Sequence, residues 1–348
     1  MTAKPRAPAG APIRLLGDIG GTNARFALQT AGAPPRASKE IKTADFADLT
    51  SAAKAYLAAT SPARPPRVAA FAVACPVTGD EIRLTNSPWS FSATEVQSRL
   101  GLDSLHVIND FEAIAWSVPR LGAGDVRKIG GGRAQRRAPI AVIGPGTGLG
   151  VSALVPSAKG WRALATEGGH VTLAPANARE GQVLDILRRK FSHVSAERAL
   201  SGQGLVELYE AISLLDGSGN ATAAGKSMTP TPMTPAAMTP APMTPAKVTR
   251  RALGRRDPAA VRALRMFSEM LGTVAGNLAL TLGARGGVYL AGGVVPRLGR
   301  GFAAAAFRRR FEDKGRFSAY LGAIPTYLIT HKTPAFAGLA SFLDAEGL

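Results

Sequence analysis

Cysteine is almost absent from this sequence of 348 residues, with Cys75 standing alone. One thiol cannot close an internal disulfide or build a multi-cysteine metal site. No apolar run reaches the ~18 residues that a membrane-spanning helix needs. The most apolar late stretch, Leu271 to Leu282, is broken by Gly272, Gly276 and Asn277. The first twelve residues are rich in Ala and Pro and lack the apolar core of a signal peptide. They are expected to be a disordered extension. These absences point to a cytoplasmic protein.

What is present suits packed cores. The hydrophobic share is 46% and the charged share 19%, and the length allows about two domains of ordinary size. The net charge of +18 reflects 42 Lys and Arg against 24 Asp and Glu. Such an excess either attracts anions or is an Arg-rich composition spread over the surface. The second reading is favoured. Clusters such as Arg133-Arg136-Arg137 and Arg308-Arg309-Arg310 are short and scattered, without the interleaved aromatics of a nucleic-acid platform.

Apolar runs followed by glycine organise the chain. Ile13–Leu16 reads as a buried strand running into Gly17-Asp18, with Arg25–Gln29 as its hairpin partner. Val68–Val77 and Glu81–Thr85 read as strands, and Ser92–Leu100 as a helix with a capping box from Ser92 and Glu95. His106–Ile108 is a strand into Asn109-Asp110, followed by a helix ending before Pro119. The pattern then restarts. Pro139–Ile143 runs into Gly144–Gly150, and Val151–Val155 returns. Two strand–glycine-loop–strand units about 130 residues apart suggest a duplicated fold. Glu180–Phe191, Ala196–Leu200, Gly204–Leu215 and Ala259–Leu282 read as helices. Gly287–Leu290 and Thr326–Ile329 read as strands, and Pro334–Leu343 as a last helix. Residues 217–247 carry Met-Thr-Pro at Met228, Met233, Met238 and Met243. Proline removes donors and blocks helix, so an extended surface insert is expected there.

The chemistry-bearing residues sit at strand ends. Glycines 20 and 21 let backbone N–H groups approach phosphate oxygens, and Thr22 adds a hydroxyl. Asp18 is placed to hold a hydrated Mg²⁺ beside them. Each feature also suits a plain tight turn. A second loop, centred on Thr147, can grip phosphates from the other side, and Gly292-Gly293 opens a third. Asp110, at the end of a strand, can accept a proton from an attacking hydroxyl. With a reference pKa of ~3.9 it is expected to be ionised at neutral pH. It equally suits a helix cap. Glu167 and His170 flank a Gly-Gly turn and suit a polyhydroxyl ligand. Glu197 offers another acceptor, or a carboxylate favoured by a helix N-terminus.

Gly17-Asp18-Ile19-Gly20-Gly21-Thr22-Asn23-Ala24-Arg25-Phe26 resembles the first phosphate motif of bacterial glucokinases. So do Leu84-Thr85-Asn86 with Trp89, Ile108-Asn109-Asp110-Phe111, Gly146-Thr147-Gly148-Leu149-Gly150 and Glu167-Gly168-Gly169-His170. His193–Arg198, Ala291–Pro296 and Phe311–Arg316 complete the set in the family's order. The resemblance to the proteobacterial-type family covers about residues 13 to 345. It implies an actin-like, hexokinase-type (ribonuclease H-like) α/β fold with two domains around a cleft, usually as a homodimer. The small domain is expected at 13–120 plus 331–348 and the large one at 121–330. The resemblance implies ATP and Mg²⁺, with Asp110 as the base acting on the 6-hydroxyl of glucose. It implies glucose contacts from Asn109, Asp110, Glu167, His170 and Glu197. It implies ATP phosphate contacts from Gly17, Asp18, Ile19, Gly20, Gly21, Thr22, Thr147 and Gly148. No nucleic-acid or membrane partner is expected. The choice among glucose, mannose and N-acetylglucosamine stays open, as does polyphosphate as donor.

Overall fold

A computed structural model describes residues 12–84, 87–158, 160–223 and 242–348. The expected extension at 1–12 therefore lies outside the described residues except for Pro12, as do Thr85 and Asn86. Strands β1 (Ile13–Ile19), β2 (Asn23–Thr30) and β3 (Arg36–Lys42) form an antiparallel meander. Helix α1 (Leu49–Thr60) leads to β4 (Val68–Val73), parallel to β1. A small hairpin of β5 (Glu81–Arg83) and β6 (Ser90–Ser92) follows, then α2 (Ala93–Leu100), β7 (Ser104–Asn109) and α3 (Asp110–Ser117). The first sheet runs β3-β2-β1-β4-β7.

After β8 (Val126–Gly130) the plan repeats with β9 (Ile140–Pro145), β10 (Leu149–Ser157) and β11 (Gly160–Thr166). Helices α4 (Ala178–Lys190), α5 (Ala196–Ala199), α6 (Gly202–Ala223), α7 (Pro245–Leu253) and α8 (Pro258–Leu282) come next. Then follow β12 (Val288–Leu290), α9 (Val294–Leu298), α10 (Ala304–Glu312), α11 (Ser318–Ala323), β13 (Thr326–Ile329) and α12 (Pro334–Ala345). The second sheet runs β11-β10-β9-β12-β13-β8. With β8 set aside, both sheets have a three-strand meander whose first strand also pairs in parallel with a later one. The expected duplication is thus present as topology although the sequences differ.

The two sheets share a core. Leu16, Ala70 and Ala72 of the first and Val142, Leu154 and Ile329 of the second enclose Phe111, Trp116, Phe336 and Leu339. Helices α3 and α12 fill the space between them. Their contact is backbone-close: a methyl on Gly338 would stand 1.6 Å from the Ala113 carbonyl oxygen. Helix α12 also contacts β1 and β4, so the end of the chain returns to the first sheet.

Several expectations need correction at element ends. The first strand does not stop at Leu16; Gly17, Asp18 and Ile19 are strand residues paired with Phe26, Arg25 and Ala24. Only the Ser92 half of the expected capping box forms, with Ser92 Oγ accepting the Glu95 N–H at 3.0 Å. Asp80 caps the same helix end by accepting the Thr94 N–H at 2.8 Å. The span 217–247 is helical at both ends, since α6 runs to Ala223 and α7 begins at Pro245. There the last Met-Thr-Pro works for a helix start. Met243 packs on the core, Thr244 Oγ1 accepts the Lys247 N–H, and Pro245 opens α7, where its missing N–H costs nothing. Residues 224–241, with the other repeats, lie outside the described residues.

Candidate active site

The first glycine turn is reduced to Gly20, Gly21 and Thr22, because Gly17 to Ile19 spend their backbone on the sheet. Gly17 is required by packing, since a Cβ there would lie 2.6 Å from the Phe71 ring. The Gly20 N–H closes the turn on Asn23 O at 3.0 Å. Thr43, at the end of β3, fastens the turn from below. Its buried hydroxyl lies 2.9 Å from Gly21 O and 3.0 Å from Thr22 O, and its N–H donates to Thr22 O. With the carbonyls held on that side, the Gly21 and Thr22 N–H groups are available to an anion.

Asp18 stands beside this turn, opposite Arg25 across the β1–β2 ladder, and the two pair at 3.5 Å. Glu40 on β3 takes the other side of Arg25. Burial pushes the Asp18 carboxyl above its ordinary range, and Arg25 opposes that.

The question of which residue caps α3 is settled by its hydrogen bonds. Asn109 holds the cap position, with Oδ1 accepting the Phe111 N–H at 2.9 Å and Nδ2 donating to Cys75 O at 3.2 Å, and Asp110 Oδ1 shares the same Phe111 N–H at 2.9 Å. Asp110 is the first helical residue. It was expected to be ionised at neutral pH. Burial first, and the neighbouring Asp18 charge second, push its pKa up to about 7, with Glu167 adding to the rise. A carboxyl poised near neutrality can hold or release a proton at working pH, which suits a general base.

The second and third glycine loops pack against each other and against the helix that Asp110 opens. Gly144 admits the Ala291 backbone, and Gly292, at φ +75°, lies where a Cβ would be 2.4 Å from Pro145 O. A Cβ on Gly150 would meet the Phe111 ring at 1.9 Å. Thr147 is exposed at the tip, and Gly146 N–H donates to Gly148 O at 2.7 Å.

Glu167 and His170 bracket a single helical turn, 3.8 Å apart and both more than half exposed. Gly169 is demanded by the Leu149 carbonyl, which a Cβ would meet at 1.9 Å. Glu197 does more than ride a helix N-terminus. Its Oε2 accepts the Leu149 N–H at 2.9 Å, so this carboxylate reaches into the second glycine loop. Glu197 and His170 line one cavity of about 310 Å³ with Lys190, His193 and Arg198. That cavity is polar and large enough for a single sugar ring. The structure thus gathers Asp18, Asp110 and Glu167 into one electrostatic neighbourhood, and joins His170 and Glu197 at one cavity. Sequence reasoning missed Thr43 and Cys75 O as supports, and held Arg25 only as part of the first motif and its hairpin strand. Only the capping-type hydroxyl of Thr43 at a strand end could have drawn notice.

Among the described residues no cluster of three or more His, Cys, Asp or Glu is arranged to hold a metal ion. A hard cation would nonetheless suit Asp18 and Asp110, since the Asp18 charge raises the cost of ionising Asp110 and so the gain from a neighbour of opposite sign. Such an ion would take most of its oxygens from water and phosphate. No described helix is long and apolar enough to cross a membrane.

Comparison with known proteins agrees with this arrangement. The family model for glucokinase matches residues 15–346. The glucokinase of Paramagnetospirillum magneticum is 49% identical over 330 residues, covering 94% of this chain and 97% of that protein. The glucokinase of Neisseria meningitidis serogroup C is 45% identical over 344 residues, covering 99% and 98%. A crystal structure of glucokinase from an Antarctic psychrotroph superposes with a TM-score of 0.81 at 34% identity, covering 95% of this chain and 98% of that one. The glucose complex of Balamuthia mandrillaris glucokinase shares the fold at a TM-score of 0.74 and 22% identity, covering 97% and 94%. The two facing sheets, the glycine loops at their strand ends and the full-length match show that the chain has the actin-like, hexokinase-type fold and belongs to the glucokinase family.

Proposed function

We propose that this chain transfers the γ-phosphoryl group of ATP to the 6-hydroxyl of glucose, with Asp110 as general base. The observation that carries the reading is the poised Asp110 carboxyl at the start of α3, which feels the charges of both Asp18 on β1 and Glu167. Asn109, Glu167, His170 and Glu197 hold the sugar hydroxyls, each offering one or two hydrogen bonds. Asp110 takes the proton from the 6-hydroxyl as its oxygen attacks the γ-phosphorus. The bond to the β-bridging oxygen breaks, leaving ADP and glucose 6-phosphate. The Gly21, Thr22, Thr147 and Gly148 N–H groups meet the phosphate oxygens, where preorganised donors act most strongly, while the Gly20 N–H holds the turn closed. Mg²⁺ bound with the nucleotide supplies charge neutralisation there, and Asp18 is the carboxylate that would hold it through water.

Residues 13–120 with 331–348 are read as the small domain and 121–330 as the large one. The return of α12 to β1 and β4 supports this. A homodimer in the cytoplasm fits the same reading, the latter supported by the single cysteine. The test is ADP release from ATP and Mg²⁺ with a panel of hexoses. Turnover with glucose at a higher kcat/KM than with mannose or N-acetylglucosamine is expected. Absence of sugar-dependent ADP release would refute the assignment.

A further inference from the structure

Glu197 lies 48 residues from Leu149 in sequence, yet its Oε2 accepts the Leu149 N–H at 2.9 Å. The same oxygen stands where a Cβ on Gly148 would come within 2.3 Å. Five residues further on, the Gly202 N–H donates to Gly146 O at 2.9 Å. The segment 197–202 therefore clasps the Gly146–Gly150 loop at both ends, once through a carboxylate and once through a backbone N–H.

The clasp continues to the other side of the cavity. Ala196 N–H donates to Val171 O at 2.9 Å, and Leu173 N–H to Val194 O at 3.0 Å. Thr172 and Ser195 are bridged between those bonds. The residues just after His170 are thus zipped to the residues just before Glu197. Running through the structure is one hydrogen-bonded path, from the Glu167–His170 turn through Val171 and Ala196 to Glu197 and the glycine loop.

We propose that Glu197 is a positioning residue for the Gly146–Gly150 loop, so that sugar bound at the cavity and nucleotide bound at the loop strengthen each other's binding. This rests on the reading that the cavity takes the sugar and the loop meets the ATP phosphates. One carboxylate oxygen is committed to Leu149, while the other accepts no hydrogen bond from the described residues and can meet a sugar hydroxyl. A sugar that fixes the carboxylate also fixes the loop, and a loop ordered by phosphate presents a fixed carboxylate to the sugar. Binding free energies must then be coupled reciprocally.

The experiment is calorimetry on the full chain with glucose and with a non-hydrolysable ATP analogue plus Mg²⁺. Gly148→Ala should raise the Kd for glucose by about tenfold or more, the scale of a charged hydrogen bond. The new methyl meets only the movable end of Glu197, so the fold survives and the carboxylate shifts. An unchanged glucose Kd in that variant overturns the proposal. Glu197→Gln keeps an oxygen for the Leu149 N–H and should hold analogue affinity near wild type, whereas Glu197→Ala should weaken it about tenfold. One shared analogue Kd for the two variants overturns the proposal while leaving the kinase reading intact. A wild-type chain that binds no glucose removes the kinase reading and the proposal together.

Discussion

Asn109 holds the cap position of α3, where the sequence had left Asp110 open as a base or a helix cap. The amide caps α3 and leans on Cys75 O, while the carboxylate shares the Phe111 N–H and feels the charges of Asp18 and Glu167. Replacing Asp110 by Ala should lower kcat by ~10²–10⁴, the range for a general acid or base; a variant with full turnover would remove its assignment. The raised pKa adds a pH signature. In the folded protein Asp110 holds a proton more tightly than in the unfolded chain, from the usual 3.8 up to about 7. Native protein therefore binds more protons than unfolded protein across that window, and stability falls as pH rises through it. Asp110→Asn cannot ionise. It should match wild type near pH 4 and exceed it at pH 8 by on the order of 2–4 kcal/mol, read from denaturant melts. On the activity side, kcat/KM for glucose should rise with pH along an acid limb centred near 7, since it reports the free enzyme.

Elements were legible where their buried faces wrote a pattern. β9, with all six residues buried, and β13 stood out as apolar runs. β3 did not. Its sequence, Arg36 to Lys42, is exposed at every position except Ile41, because it lies at the sheet edge. Helix α1 was overlooked although Asp48 and Ser51 form a full reciprocal capping box at its start. The site was legible as motifs, since glycine and carboxylate types survive in sequence. Its wiring was not. The Thr43 clasp and the Glu197–Leu149 bond join residues more than twenty apart and exist only once the sheets are built. The tightest element contact is also testable. Gly338→Ala should destabilise by about 3 kcal/mol or more, because a methyl would strike the Ala113 carbonyl oxygen and push α12 from α3. A thermal midpoint equal to wild type would contradict that packing.

At the scale of the whole molecule, part of the basic excess lies inside the fold. Of the Arg308–Arg310 run, Arg308 is buried and donates to the Ile324 and Leu321 carbonyls, while Arg310 pairs with buried Glu180. The Met-Thr-Pro segment divides in a similar way. Removing residues 226–241 should leave kcat within about twofold, because the site elements lie elsewhere. Extending the deletion to 246 takes Met243 and the Thr244 cap and should cost ~1 kcal/mol or more of stability. Equal midpoints for the two deletions would show that the last repeat does not anchor α7.

The return of α12 also has a consequence for how the chain is made. Leu16, Ala70 and Ala72 of the first sheet belong to the core that Phe336 and Leu339 complete, and those two residues leave the ribosome long after α3, which ends at Ser117. Until then the nascent first half carries an uncovered apolar face, the kind of surface that holdase chaperones bind. Chain-terminated fragments ending before Pro334 should therefore be recovered in aggregates, whatever the integrity of their glycine loops.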